Sequence, residues 1–175
     1  MRILYHLPLH GGSRRVRVAL REKGLDVELK EERVWERREG FLRLNPSGEI
    51  PVLVEPDGTV LPEAEVITEY LEEVHPQESL LGHDPVDRAE VRRLALWFDA
   101  KFHREVTANL VDEKLLKRFM RLGQPDSQAI RAGHANVRHH LDYIAWLCDR
   151  RSWLAGTFFS HADIAAAAQL SCVDY

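Results

Sequence analysis

Cysteine is scarce in this chain: Cys148 and Cys172 are the two in 175 residues. Their separation fits no metal-ligand spacing and no disulfide framework, so both are read as reduced thiols of a cytoplasmic protein. Basic excess is also missing. Twenty-four Lys and Arg stand against 28 Asp and Glu, a formal net charge of −4. General nucleic-acid binding needs a surplus of cations on one face and is excluded on that balance. No run approaches the roughly 20 apolar residues that cross a bilayer, and MRILYHLPLH at the start has no apolar stretch of signal-peptide length, so no membrane association is expected. Neither G-x-x-x-x-G-K-[ST] nor G-x-G-x-x-G occurs, which removes the two common glycine-rich phosphate cradles. Internal repeats and low-complexity tracts are absent as well.

What is present supports a folded chain, because 45% of the residues are hydrophobic and a core can form. Arg2–Tyr5 reads as a short buried strand. A helix is expected from Arg14 to Lys23, with Ser13 as its N-cap and Gly24 as its stop. Val16, Ala19 and Leu20 form its apolar stripe, while Arg14, Arg17 and Arg21 face away. Asp26–Val34 contains a second strand in which Val27 and Leu29 alternate with charged residues. FLRLNPSG is a helical turn and a loop. The stretch from Ile50 to Val74 reads as a strand, a turn at Pro56-Asp57-Gly58, a strand and an amphipathic helix. The order is β-α-β-α-β-β-α over residues 1–75. Residues 76–87, with their prolines and glycine, read as a linker. Residues 88–175 read as helical: Val91, Leu94, Ala95, Phe98, Phe102 and Val106 recur at helical spacing, Gly123-Gln124-Pro125 interrupts, and Val137, Leu141, Ile144 and Leu147 mark another helix. Ser160 and Asp163 have capping-box spacing at the head of the last helix, with Phe159 and Ile164 placed as a hydrophobic staple. The expected fold class is α/β followed by all-α.

Several residues stand out chemically. LPLHGGSRRVRVAL places two glycines and a serine ahead of an arginine-rich helix start, where an anion could sit. Pro51 heads a strand, which is where a sheet tolerates proline. A cis Ile50–Pro51 bond would turn the backbone N–H and C=O of Ile50 outward to pair with an extended, peptide-like ligand; a trans bond would simply open the strand. Trp35, in RVWERRE, is either packed by its flat face or an interface anchor. His134, His139 and His140 read as a solvated helix and not as a metal site, since neighbouring histidines point to different faces and no carboxylate pair completes a set.

Taken together, SRRVRVALREKGL, LNPSGEIPVLV, LPEAEVITEYLEE and WLAGTFFSHADIAAA resemble the glutathione transferase superfamily, in order and across both halves. The resemblance implies a thioredoxin-like N-terminal domain, a helical C-terminal domain, a cis Pro51, a homodimer and a cleft for glutathione. VWERREGFLRLNPSGEIPVLVE, LLGHDPVDRAEVRRLALWFDAKFHREV, EKLLKRFMRLGQPD and RSWLAGTFFSHADIAAAAQLSCVDY resemble its bacterial cell-division branch, whose members bind filaments of the tubulin-like protein FtsZ. In that branch an aromatic in a charged loop suits partner binding, which makes Trp35 the candidate anchor. Superfamily members usually continue through several more helices, so the helical half reads as cut short.

The catalytic parts implied by the resemblance are altered. A free thiol, with a pKa of about 8.5, is only a few per cent ionised at pH 7. Lowering that pKa by ~2 units takes about 2.7 kcal/mol of differential stabilisation. Transferases draw it from a Tyr, Ser or Cys near the first helix. The usual Ser or Cys position here holds His10, and Tyr5 lies near the tyrosine-type position. The Glu-Ser pair that grips the γ-glutamyl carboxylate reads Glu63-Ala64. A lost hydrogen bond to a charged group costs about 1.5–3 kcal/mol, or roughly 10- to 150-fold in affinity. The expected glutathione contacts are Ile50, Pro51, Glu63 and Ala64. Glutathione is expected as a weak ligand or co-substrate, with no resident cofactor and no metal. The functional expectation is a weakly or non-catalytic binding protein of the FtsZ-binding type; an active transferase conjugating glutathione to electrophiles is the alternative.

Overall fold

The computed structural model describes residues 1–174. The chain divides into two compact units, Met1–Leu80 and the residues from Leu81 onward.

The first unit is built on β1 (Ile3–His6), α1 (Gly11–Glu22), β2 (Glu28–Glu31), a 3-10 turn (Val34–Glu36), α2 (Glu39–Leu44), β3 (Val52–Val54), β4 (Val60–Pro62) and α3 (Ala64–Val74). Its sheet runs β2-β1-β3-β4. β2 is parallel to β1, and the other two pairings are antiparallel. This is the expected thioredoxin-like order. Side chains alternate across a strand, so each central strand serves two layers. Leu4 and Leu53 face α1 and α3 and pack with Val16, Leu20, Ile67 and Leu71. Tyr5, Val52 and Val54 face the other way and pack with Phe41 of α2 and with Ile50. The tight turn after β3 follows from Pro56-Asp57-Gly58: Gly58 has φ 91°, and Asp57 Oδ1 accepts the Thr59 N–H at 2.9 Å.

Two local expectations for this unit are corrected. α1 starts at Gly11 and its N-cap is His10, not Ser13. Ser13 is fully buried inside the first turn. Leu29 is 42% exposed although it pairs with Leu4. β2 lies at the sheet edge, and Leu25 and Val27 fill that end of the layer instead. A buried ion pair ties the ends of α1 and α3: Lys23 Nζ lies 2.9 Å from Glu72 Oε1. Lys23 also donates to the carbonyls of His75 and Glu78 at 2.9 Å each.

The second unit is helical. α4 (Pro85–Leu96) begins with Asp84 as N-cap, accepting the N–H of Val86 and Asp87, and Pro85 occupies the first turn, where its missing N–H costs nothing. α4 runs without a break into a π-wound segment, Trp97–Asp112, followed by α5 (Leu116–Phe119), α6 (Ser127–Cys148) and α7 (His161–Val173). Phe98, Phe102, Val106 and Leu110 recur every four residues along the π-wound segment and are all buried in the core of this unit. α6 crosses that segment at Gly133, where a Cβ would stand 2.8 Å from Leu110. The capping box at Ser160 and Asp163 is formed as expected. The solvated reading of the α6 histidines holds for His134 and His139, which are exposed. It is corrected for His140, which is buried, accepts the Trp97 indole N–H at Nδ1 (3.1 Å) and meets Glu105 at Nε2 (3.0 Å). Among the described residues no helix is long and apolar enough to cross a membrane.

Candidate functional site

Three separate segments of the first unit converge on Gly12. A Cβ placed there would stand 3.2 Å from His10 Cε1, 3.3 Å from Ala64 Cβ and 3.4 Å from Pro51 Cδ. Any side chain at this position would push against the β1–α1 loop, the head of β3 and the start of α3 together. Glycine is what lets α1 approach this closely, and it explains one of the two glycines in LPLHGG. The Ile50–Pro51 bond is cis. Pro51 C=O accepts the Glu63 N–H at 3.1 Å, fixing the start of α3 to the head of β3. The backbone of Ile50 makes no hydrogen bond with other described residues, although the residue is buried. A buried, unpaired backbone edge is a place for an extended ligand to pair.

His10 is held through one of its ring nitrogens. Its Nδ1 accepts the Ser13 N–H at 3.1 Å and lies 3.1 Å from Ser13 Oγ. An imidazole nitrogen that accepts a backbone N–H carries no proton, so the ring proton sits on Nε2. Ser13 Oγ in turn accepts the Leu7 N–H at 3.4 Å. On a neutral ring held this way, Nε2 carries the N–H donor. His10 cannot act as a base at Nδ1 without giving up the first turn of α1. Tyr5 lies in the opposite layer, its ring 5.6 Å from that of Phe41.

Glu63 is in the left-handed region, at φ 72° and ψ 133°, immediately before α3. For a residue with a side chain such a conformation costs about 1–3 kcal/mol, and strain of this kind collects at functional sites. Although the residue is exposed overall, desolvation of its carboxyl, with a smaller push from Glu49, raises its pKa above the ordinary carboxylate value. The structure therefore brings His10, Pro51 and Ala64 together, with Ile50 and Glu63 as their chain neighbours.

Trp35 belongs to a different feature. It sits half-buried in the 3-10 turn Val34–Glu36. Just before it, Glu32 is fully buried at the end of β2. Both oxygens of that carboxylate are met by Arg38, Nε to Oε1 at 3.1 Å and Nη2 to Oε2. Sequence reasoning missed this pair, because KEERVWERRE looks like uniformly solvated charge. Glu32 is one residue beyond the strand, and that position was the signal available.

Comparison with known proteins places these features. Residues 13–74 match the family model described as the glutathione S-transferase N-terminal domain. The chain is 49% identical over 177 aligned residues to FtsZ-localized protein A of Caulobacter vibrioides, covering 99% of this chain and 78% of that protein. The chain belongs to the glutathione transferase superfamily. Solved structures of the superfamily superpose over the whole chain. A glutathione S-transferase from Rhodospirillum rubrum F11 is 59% identical with a TM-score of 0.97, covering 100% of this chain and 79% of that one. FzlA from C. crescentus is 48% identical with a TM-score of 0.95, covering 99% and 78%. The thioredoxin-like first half and the helical second half implied by the resemblance are both observed.

Proposed function

We propose that this superfamily member is a filament-binding protein with little or no transferase activity, and that its partner is FtsZ. The observation that carries the proposal is its likeness, over nearly the whole chain, to a protein named for localisation to FtsZ. The site agrees with it. The position that usually activates a thiol holds a histidine committed to capping α1, and the hydroxyl that usually grips the γ-glutamyl carboxylate is replaced by the methyl of Ala64. Glutathione is then a weak ligand, held by Ile50, Pro51 and the start of α3. Trp35 is the proposed filament anchor, and the protein works as a homodimer in the cytoplasm. Co-sedimentation with FtsZ filaments is the test. The wild type is expected to pellet with filaments and Trp35→Ala to lose most of that signal; a wild type that stays in the supernatant refutes the proposal.

A second reading, an active transferase, is favoured by one observation: His10 stands with Pro51 and Ala64 around Gly12, and with Nδ1 accepting the Ser13 N–H the neutral ring carries its N–H donor at Nε2. Micromolar glutathione binding by calorimetry, together with turnover of an electrophilic aryl halide, would establish it over the binding-only reading.

A further inference from the structure

Given the filament-binding role proposed above, we infer that the Glu32–Arg38 pair is a clamp that presents Trp35 to the partner. Glu32 and Arg38 are then positioning residues, acting through the loop they close.

Both ends of the span 32–38 are tied to the framework. At one end the Glu32 N–H donates to the His6 carbonyl at 3.0 Å, anchoring it to β1. At the other, the Arg38 carbonyl accepts the N–H groups of Phe41 and Leu42 at 3.0 Å each, anchoring it to α2. The side chains of the two end residues then meet. The Glu32 side chain is 0% exposed and that of Arg38 is 52% exposed, so the guanidinium lies over the carboxylate and closes the loop from the solvent side. Between these ends the chain makes one tight turn, closed by Glu36 N–H to Arg33 C=O at 2.8 Å and Arg37 N–H to Val34 C=O at 3.3 Å. Val34 turns into the layer with Phe41, Ile50 and Val52. Arg37 takes a left-handed φ of 45°, which a non-glycine residue adopts only when its surroundings impose it.

With Val34 packed inward and Arg37 reversed, Trp35 sits half-buried in a turn whose backbone is closed at both ends. An anchor fixed before binding loses less side-chain and loop entropy on association than a mobile one. Its chain neighbours carry both signs: Glu31, Arg33 and Glu36 are exposed, with Arg33 lying 3.7 Å from Glu31 and 3.5 Å from Glu36. The surface fits a protein filament that offers an apolar pocket for an indole, ringed by charges of both signs.

The test compares Trp35→Ala, Arg38→Gln, Arg38→Lys and the double variant Glu32→Gln/Arg38→Gln. The readouts are FtsZ co-sedimentation, melting temperature and amide exchange at residues 33–37. Arg38→Gln is expected to weaken filament binding about tenfold and to speed exchange at 33–37; Arg38→Lys should not restore either, since a point charge cannot grip both carboxylate oxygens. Arg38→Gln alone leaves a buried carboxylate without its counter-charge and can cost the fold, so the double variant is the control. It removes the buried charge and lets two amides pair, and it should bind better than Arg38→Gln alone. Trp35→Ala should lose binding with exchange at 33–37 close to wild type. Faster exchange at 33–37 with undiminished binding overturns the clamp, and so does weakened binding with unchanged exchange, which would make Arg38 a direct contact. Full binding by Trp35→Ala overturns the presented-anchor inference alone. A wild type that does not pellet defeats the filament role itself.

Discussion

Replacing Ala64 by serine returns a hydroxyl to the first residue of α3. The position is already at the meeting point of His10, Pro51 and Gly12. The Ala64 Cβ lies 3.3 Å from the place a Gly12 Cβ would occupy, so the hydroxyl must take a rotamer that points away from Gly12. A hydroxyl bonded to a ligand carboxylate is worth about 1.5–3 kcal/mol, or 10- to 150-fold in affinity. Part of that is spent locally, because a serine in the first turn competes for the unpaired N–H groups of its own helix. The expected gain is therefore near the lower end, about tenfold tighter glutathione binding by calorimetry. The melting temperature should stay within about 2 °C of wild type, as for a surface-adjacent change of under 0.5 kcal/mol. Turnover should not rise in step, since His10 is untouched. An affinity unchanged within twofold, in a folded variant, would falsify the placement of the γ-glutamyl carboxylate at the start of α3.

Two further outcomes follow from the same geometry. Gly12→Ala should destabilise the protein by about 1–3 kcal/mol by overpacking, read as a lower urea midpoint at unchanged slope; a neutral effect would mean that His10, Ala64 and Pro51 do not converge there. His6 and His140 are both held neutral: burial lowers the pKa of each, aided at His6 by Arg17, and Glu105 offsets only part of the effect at His140. A histidine with a lowered folded pKa contributes stability that is present above its unfolded value and lost as pH falls below about 6.5. The melting temperature should drop on acidification from pH 7 and drop less steeply in His6→Gln/His140→Gln, measured by calorimetry across pH 5–7; identical slopes would refute the assignment.

Much of this was legible from residue order. The β-α-β-α-β-β-α pattern, the turn at Pro56-Asp57-Gly58 and the Ser160–Asp163 box each rest on short-range chemistry that a sequence displays directly. The misses share a different cause. Ser13 has the right residue type for an N-cap, but the cap is His10, because an imidazole nitrogen three residues earlier accepts the Ser13 N–H and the helix starts at Gly11. His140 reads as solvated beside His139, yet the π-wound segment places Trp97 and Phe102 against it, the Phe102 ring 4.9 Å away. Glu32 sits in a run of charges, yet it is bonded to β1 through its N–H and Arg38, six residues on, folds back onto its carboxylate. In each case the deciding partner is a side chain whose direction depends on how the backbone turns in between.

The cap on α1 has a consequence for what residue 10 can be. At residue 10 one side chain both starts a helix and stands where this superfamily usually supports a thiolate. Serine does both jobs well: it is a preferred N-cap and carries a hydroxyl donor. Histidine does them through opposite nitrogens. A change between the two at residue 10 therefore need not leave α1 uncapped, and the fold itself does not dictate which of them stands there.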